Sequence, residues 1–254
     1  MALIKVQGIV LKQINIGESD KIITIFTDKL GKIQAVAHGS RKTKSKLMSS
    51  TQTFSYCEYV LYKGRSLYTI SQAEIKESFQ FILDDLYTLT YCSYITELVD
   101  ALTQDNEINI ELFLLILKTF YLMADEAIDK EVLLRTFELK SMSISGYMPN
   151  VSTCSICRAK DRKIAIFSIE NGGVICEECA RNGNHGISIS PSTLSIIRFM
   201  LKTNIEKIKT LKVSDSAKDE LKVIMKNYIK YYLEKDFKSL EFLDDLRQTE
   251  NKGK

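Results

Sequence analysis

The sequence lacks the patterns of exported and membrane-spanning proteins. Its N-terminus, MALIKVQGIVLKQ, has no basic segment followed by an uninterrupted apolar one, so no secretory signal is expected. No apolar run approaches the ~18 residues that suggest a membrane span. We therefore expect a cytoplasmic protein, whose six cysteines lie in a reducing compartment that favours metal binding over structural disulfides.

The motifs of common enzyme classes are also missing. There is no G-x4-G-K-[ST] phosphate loop, no H-E-x-x-H and no G-x-S-x-G, and there are only two histidines, His38 and His185. Asp84-Asp85 and Asp244-Asp245 are adjacent pairs, which diverge on a helix and make poor two-carboxylate sites. We expect no enzymatic activity and interpret these carboxylates as solvated.

Charge is divided unevenly along the chain. Residues 1–76 hold 12 lysines and arginines against 5 acidic residues, a net charge of +7. Residues 77–153 have a net charge of −9, and residues 154–254 one of +5. A basic module followed by an acidic one indicates that the first module faces a polyanion.

Alternating and β-branched segments predict about five strands in the first 76 residues: ALIKVQGIVL, KIITIFT, GKIQAVAHG, FSYCEYVLYK and SLYTISQAEI. Five short strands favour a small closed barrel of the OB type, and a five-stranded SH3-like barrel is the alternative that periodicity leaves open. The predicted fold class is α+β, with this barrel followed by an α-helical bundle.

Helical spacing begins at Ser78. After this first helix, the pattern predicts helices from about Asn109 to Asp125, from the N-cap Asp129 to near Gly146, from Pro191 to about Lys207, from Ser214 to Leu233, and from Leu240 to Leu246. The predicted domains are the barrel at 1–77, a first helical part at 78–150, a cysteine module at 151–189, closing helices at 190–246 and a frayed tail at 247–254.

Four cysteines form a C-x2-C-x18-C-x2-C pattern. Each C-x2-C pair can turn two thiolates toward one point, and four thiolates complete the tetrahedral shell of Zn²⁺. The intervening DRKIAIFSIENGGVI is typical of a hairpin, as in zinc ribbons. We predict one structural Zn²⁺, with two disulfides or unliganded thiols as the alternatives; its ligands would be Cys154, Cys157, Cys176 and Cys179.

The segment HGSRKTKSK, residues 38–46, carries four cations and no acid: Arg41, Lys42, Lys44 and Lys46. Taken alone, such a charge run is more typical of a solvated connection between strands than of a nucleic-acid contact. In a basic barrel with Tyr56, Tyr59, Tyr62 and Tyr68 on its strands, it favours nucleic-acid binding, because OB barrels combine a basic groove with aromatic stacking. Strand alternation places Tyr56 and Tyr62 on one face and Tyr59 on the other, so some of these rings must be core.

Three blocks of the sequence resemble the RecO family of bacterial recombination mediators. They are GIVLKQINIGESDKIITIFTDKLGKIQAVAHGSRKTKSK with its G-E-x-D-K turn, YKGRSLYTISQAEI, and LRTFELKSMSISGYMPNVSTCSIC leading into the zinc cysteines. The blocks occur in the family's order, and the resemblance covers about residues 1–240. It implies an N-terminal OB barrel, a helical bundle and an inserted zinc module.

The resemblance also implies an activity. Proteins of this family bind single- and double-stranded DNA, anneal complementary strands and help to load the recombinase RecA onto DNA coated by single-strand-binding protein. The implied partners are RecR and the acidic C-terminal tail of single-strand-binding protein, with no membrane, and the implied location is the nucleoid. An RNA-binding or transcription-associated OB and zinc-ribbon protein, and a pure scaffold, are the rival classes.

Site residues are carried over by position. The candidates for DNA contact are Lys21 of the G-E-x-D-K turn, His38, and the cations Arg41, Lys42, Lys44 and Lys46. Arg135, the only arginine among residues 77–153, is the candidate for the tail of single-strand-binding protein. A structural ion pair with a neighbouring acid is its alternative role.

Overall fold

The computed structural model describes the backbone of residues 3–252 and the side chains of residues 3–246. The chain forms two compact units, Met1–Ala124 together with Phe237–Lys254, and Asp125–Asp236. Among the described helices, none is both long and apolar enough to cross a bilayer.

The first unit begins with a closed five-stranded barrel of the OB type, in the order β1-β2-β3-β5-β4. Its strands are β1 (Leu3–Ile16), β2 (Asp20–Thr27), β3 (Gly31–Ala37), β4 (Tyr56–Lys63) and β5 (Tyr68–Glu77). The first half of β1 pairs with β4 and its second half with β2, and the register shifts between Val10 and Lys12. The five predicted strands and the closed barrel are confirmed.

Alternation along the strands determines which tyrosines are core. Tyr59 and Tyr68 are buried inside the barrel, and the Tyr59 hydroxyl donates to the Ser50 carbonyl at 2.6 Å. Tyr56 and Tyr62 are only half-buried. The prediction that these rings divide between core and surface is therefore confirmed.

Two helices follow the barrel in the first unit, α1 (Leu86–Leu102) and α2 (Ile110–Met123). The predicted helix start at Ser78 is wrong, because β5 continues to Glu77 and a 3-10 turn spans Gln80–Leu83. Helix α1 starts where Asp85 caps it by accepting the Thr88 amide at 2.8 Å. The interpretation of Asp85 as a merely solvated carboxylate is corrected accordingly.

The second unit combines helices with a small sheet. Its elements are α3 (Lys130–Ile144), β6 (Ile164–Ser168), β7 (Gly173–Cys176), α4 (Glu177–Arg181), β8 (Ile187–Ser188), α5 (Pro191–Lys202) and α6 (Asp215–Leu233). Asp129, Ser190 and Ser214 accept amide hydrogens at the starts of α3, α5 and α6, as their sequence context predicts. Helix α5 ends before the predicted Lys207, and a 3-10 turn follows at Ile205–Thr210.

The chain then returns to the first unit as α7 (Lys238–Lys252). Phe237 packs edge-on against Tyr94 of α1 with ring centroids 5.3 Å apart, and Ser239 donates to Glu97 at 2.8 Å. The described helix extends into the tail 247–254 that was expected to fray. The side chains of that tail, and its last two residues altogether, lie outside the described residues.

Candidate metal centre and nucleic-acid interface

The four cysteines of the C-x2-C pairs converge on one point in the second unit. Their sulfur atoms all lie within 4.8 Å of one another, and the Cys157 and Cys176 sulfurs are 3.8 Å apart. Tetrahedral zinc with Zn–S bonds of about 2.3 Å places its ligand sulfurs about 3.8 Å apart. The cluster therefore has dimensions that could hold a metal ion.

Two different turns bring the cysteine pairs together. In the first, the Cys154 amide donates to the Ala159 carbonyl at 3.1 Å and the Ser155 amide to the Val174 carbonyl at 2.8 Å. In the second, Cys176 ends β7 and serves as the residue before α4, which carries Cys179. The predicted hairpin between the pairs is confirmed as β6 and β7, and a short third strand, β8, joins its edge.

The pKa values of the Cys154 and Cys179 thiols are shifted in opposite directions. Burial of the Cys154 thiol opposes ionisation, but amide donors from Cys176, Cys157 and Ile156 lower its pKa to about 6. Burial and the neighbouring sulfurs raise the pKa of Cys179 to about 12. Four thiolates this close repel one another, so a bound dication would supply the charge that allows them all to ionise.

The basic loop, residues 38–46, is anchored to the β1–β2 turn. Asp20 Oδ1 accepts the Gly39 amide at 2.8 Å, and Asp20 Oδ2 lies 2.7 Å from His38 Nδ1. The Arg41 amide and guanidinium donate to the carbonyls of Ser19 and Gly17 at 2.9 and 2.8 Å. The loop is therefore held by the G-E-x-D-K turn.

The candidate DNA contacts occupy two different environments. The side chains of Arg41, Lys42, Lys44 and Lys46 are exposed. Lys21 is only 7% exposed, and its Nζ donates to Gln13 Oε1 at 2.7 Å. Burial lowers the pKa of Lys21, and the positive charge of Arg41 lowers it further. Lys21 and Arg41 thus lie close together, with Lys21 buried below the surface and Arg41 exposed on it.

Arg135 is fully buried in α3. Its Nη1 donates to both carboxylate oxygens of Glu138 at 2.9 and 2.8 Å. This arrangement matches the structural ion pair that the sequence left open, since the guanidinium does not reach the surface. Cys57 and Cys92, which lie outside the four-cysteine pattern, are buried in the barrel and in α1.

Family models match nearly all of the chain. The Recombination protein O N terminal model matches residues 1–79, and the Recombination protein O C terminal model matches residues 83–241. The chain belongs to the RecO family. A DNA repair protein RecO from Alkaliphilus metalliredigens is 40% identical over 240 residues, which is 94% of this chain and 98% of the relative.

Further RecO relatives are similar over comparable lengths. The DNA repair protein RecO of Clostridium novyi is 38% identical over 98% of this chain and 97% of its own length. The DNA repair protein RecO of Clostridium perfringens is 38% identical over 98% of this chain and 100% of its own length. The predicted resemblance to the RecO family, over about residues 1–240, is confirmed by the matches to residues 1–79 and 83–241.

Asp20 was not among the predicted site residues, although it lies in the same G-E-x-D-K turn as Lys21. In the sequence, only its position in the G-E-x-D-K turn indicates that Asp20 belongs to the site. Ser40, inside the basic loop, was missed as well. Its burial follows from the loop folding back onto the barrel, which no local pattern indicates.

Proposed function

We propose that this chain is a DNA repair and homologous-recombination mediator that binds single- and double-stranded DNA through the basic loop of its barrel. It anneals complementary strands and helps to load RecA onto DNA coated by single-strand-binding protein, on the nucleoid in the cytoplasm. Membership of the RecO family supports this proposal. The observation that carries it is the anchored loop, which holds four exposed cations at one end of an OB barrel.

The proposed mechanism follows from charge and needs no catalytic residue. Cations that neutralise the phosphates of two strands lower the repulsion between them and raise their local concentration, so that complementary bases can pair. Anchoring by Asp20 helps, because a loop that is already ordered loses less conformational entropy on binding.

Arg41→Ala combined with Lys42→Ala should weaken binding of every DNA sequence alike. If about four cations each contact one phosphate of a single strand, the log–log salt slope is about −3, and losing two of them changes it to about −1.5. Fluorescence anisotropy of labelled oligonucleotides over a salt series measures both quantities.

Lys63→Ala combined with Arg65→Ala is the matched control for this experiment. It also removes one lysine and one arginine charge, but from the β4–β5 connection. That connection lies near the Leu3 end of β1, whereas the basic loop lies near the Ile16 end. A salt slope that changes equally in both double variants would contradict a site at the loop.

We further propose that the four-cysteine cluster binds one Zn²⁺ in a structural role. The spacing of the sulfurs and the soft, all-thiolate donor set support zinc, and four protein ligands leave no position for a catalytic water. Native mass spectrometry should find one zinc per chain, and Cys154→Ser with Cys176→Ser should abolish it.

RecR and the acidic tail of single-strand-binding protein remain the proposed partners on family grounds. The rival classes make different predictions, so competition between DNA and RNA oligonucleotides and an annealing assay separate them. Preference for RNA would favour the transcription-associated alternative. Partner binding without annealing would favour a scaffold.

A further inference from the structure

A cavity of about 520 Å³ lies beside the basic loop, at the end of the barrel where β1 meets β2. Both strands, the loop and the turn after it contribute polar residues to its wall, namely Gln13, Asn15, Lys21, Ser40, Arg41 and Gln52. Met48 completes the wall, and none of the described residues that line the cavity is acidic. It is therefore a cationic cavity with room for a group larger than a water molecule.

Lys21 brings a buried positive charge to this cavity. Lys21 is only 7% exposed, which means that it is 93% buried. Its ammonium group has three N–H donors, and Gln13 Oε1 accepts a hydrogen bond from one of them. Among the described residues, no carboxylate forms an ion pair with Lys21. A buried charge without a counter-charge is unfavourable, so an anion in the cavity would stabilise it.

Ser40 presents a second unsatisfied group at the same place. Its side chain is fully buried, and its Oγ has no hydrogen-bond partner among the described residues. Buried hydroxyls without partners are uncommon in folded proteins, so a ligand that accepts a hydrogen bond from Ser40 Oγ would satisfy this group. Arg41 adds the remaining donors, because only the Nη1 of its guanidinium is engaged by a described residue, namely by the Gly17 carbonyl.

Two cations and a hydroxyl donor around one cavity suit a ligand with several anionic acceptor oxygens. Phosphate has that chemistry, and Arg and Lys are its usual partners. We propose that this cavity binds a single backbone phosphate of a nucleic-acid strand through Lys21, Ser40 and Arg41. The inference deepens the proposed DNA-binding function and rests on it.

The cavity divides the basic residues into two roles. Lys42, Lys44 and Lys46 lie outside its wall and attract the strand through solvent, where each contact is screened by salt. Lys21 and Ser40 are buried, so their contacts with one phosphate are less screened by solvent. Loss of one of these hydrogen bonds to a charged group should therefore weaken binding more than loss of one exposed lysine.

The experiment compares Lys21→Met and Ser40→Ala with Lys44→Met as the control. Ser40→Ala removes an unpaired buried hydroxyl, so it should fold at least as well as the wild type, and thermal melts check all three. DNA affinity should fall about tenfold or more in Lys21→Met and several-fold in Ser40→Ala. In Lys44→Met it should fall only about twofold to threefold.

Oligonucleotides with and without a 5′-phosphate distinguish a terminal from an internal phosphate. Equal affinity, with the same losses in the variants, supports a backbone phosphate. A strong preference for the phosphorylated end that Lys21→Met removes would overturn the backbone assignment in favour of a strand terminus.

Failure of the inference differs from failure of the proposed function. If the wild-type chain binds DNA but Ser40→Ala has no effect and Lys21→Met matches Lys44→Met, the cavity is not the phosphate site and the function stands. If the wild-type chain binds no DNA, both the function and the backbone assignment fail. A titration with inorganic phosphate then shows by amide shifts at Gly39 and Ser40 whether the cavity binds a free anion.

Discussion

At the scale of single residues, the buried charge of Arg135 depends on one specific partner. Arg135 is the largest fully buried side chain among the described residues, and the Glu138 carboxylate neutralises it within the same helix. Its Nε and Nη2 find no described partner. Removing either member of the pair should therefore destabilise the fold strongly, although the intact pair adds little net stability to it.

Glu138→Gln should lower the free energy of unfolding by about 3–5 kcal/mol, because it leaves the Arg135 charge buried without a counter-charge. The double variant Arg135→Met with Glu138→Leu should lose less than the single one, since it removes both charges and keeps apolar volume. Urea unfolding followed by far-UV circular dichroism measures the two losses. A double variant as unstable as Glu138→Gln would contradict this explanation.

Asp20 should make the order of the basic loop sensitive to acid. The Gly39 amide, His38 and Ser19 donate hydrogen bonds to its carboxylate and lower its pKa from 3.8 to about 2. A depressed pKa in the folded state means that its stabilising contribution is present above pH 3.8 and is lost as the pH falls toward 2.

The Gly39 amide shift should therefore titrate with a midpoint near pH 2 in the wild-type chain. In Asp20→Asn this titration should disappear, and the amide should exchange faster with solvent at neutral pH. Unchanged exchange at Gly39 in Asp20→Asn would show that the carboxylate does not hold the loop.

At the scale of elements, the β2–β3 connection depends on close backbone contact. Gly31 begins β3 with a φ of +67°, and a Cβ there would lie 2.1 Å from the Glu107 carbonyl oxygen. The following residue, Lys32, accepts the Asn106 amide at 2.9 Å and forms an ion pair with Asp100 at 2.9 Å. The segment before α2 thus packs directly on the start of a barrel strand.

Gly31→Ala should destabilise the first unit by more than about 3 kcal/mol, because a positive φ and a backbone clash act together. Gly17→Ala is its matched control. Gly17 also has a positive φ, of +53°, but its added Cβ would meet no atom within 4 Å. We expect the control to cost about 1–2 kcal/mol. Equal losses in urea unfolding would contradict a role for the Glu107 contact.

At the scale of the whole molecule, metal removal should affect the two units differently. The metal would connect turns separated by the β6–β7 hairpin, whereas the barrel has its own apolar core of residues such as Ile23, Ile25 and Ile33. Binding of a structural metal contributes directly to folding of the module that holds it.

Chelation at neutral pH should therefore remove hydrogen-exchange protection from β6 and β7 while β2 and β3 stay protected. Exchange measured by mass spectrometry with and without a chelator, followed by zinc re-addition, checks this. Concurrent loss of protection in the barrel would show that the first unit also depends on the metal. Unaltered protection in the hairpin would argue against a structural metal.

Features that depend on neighbouring residues were predictable from the amino-acid order. Period-two alternation identified the five barrel strands. Asp129, Pro191 and Ser214 marked helix starts, and the cysteine spacing identified one four-thiol cluster. These patterns are short-range, so a linear sequence contains them completely. The family resemblance was equally readable, because its motifs are contiguous blocks.

Tertiary structure alone decided the contacts between residues distant in sequence. Packing of Phe79 against Phe120 and Tyr121 accompanies the interruption between β5 and α1, so apolar spacing alone mistook this segment for helix. Barrel closure buried Lys21 and Ser40 next to Arg41 and formed a cationic cavity from residues that looked like ordinary loop and strand positions. Burial depends on what the folded chain places around a side chain, and only the assembled barrel determines that.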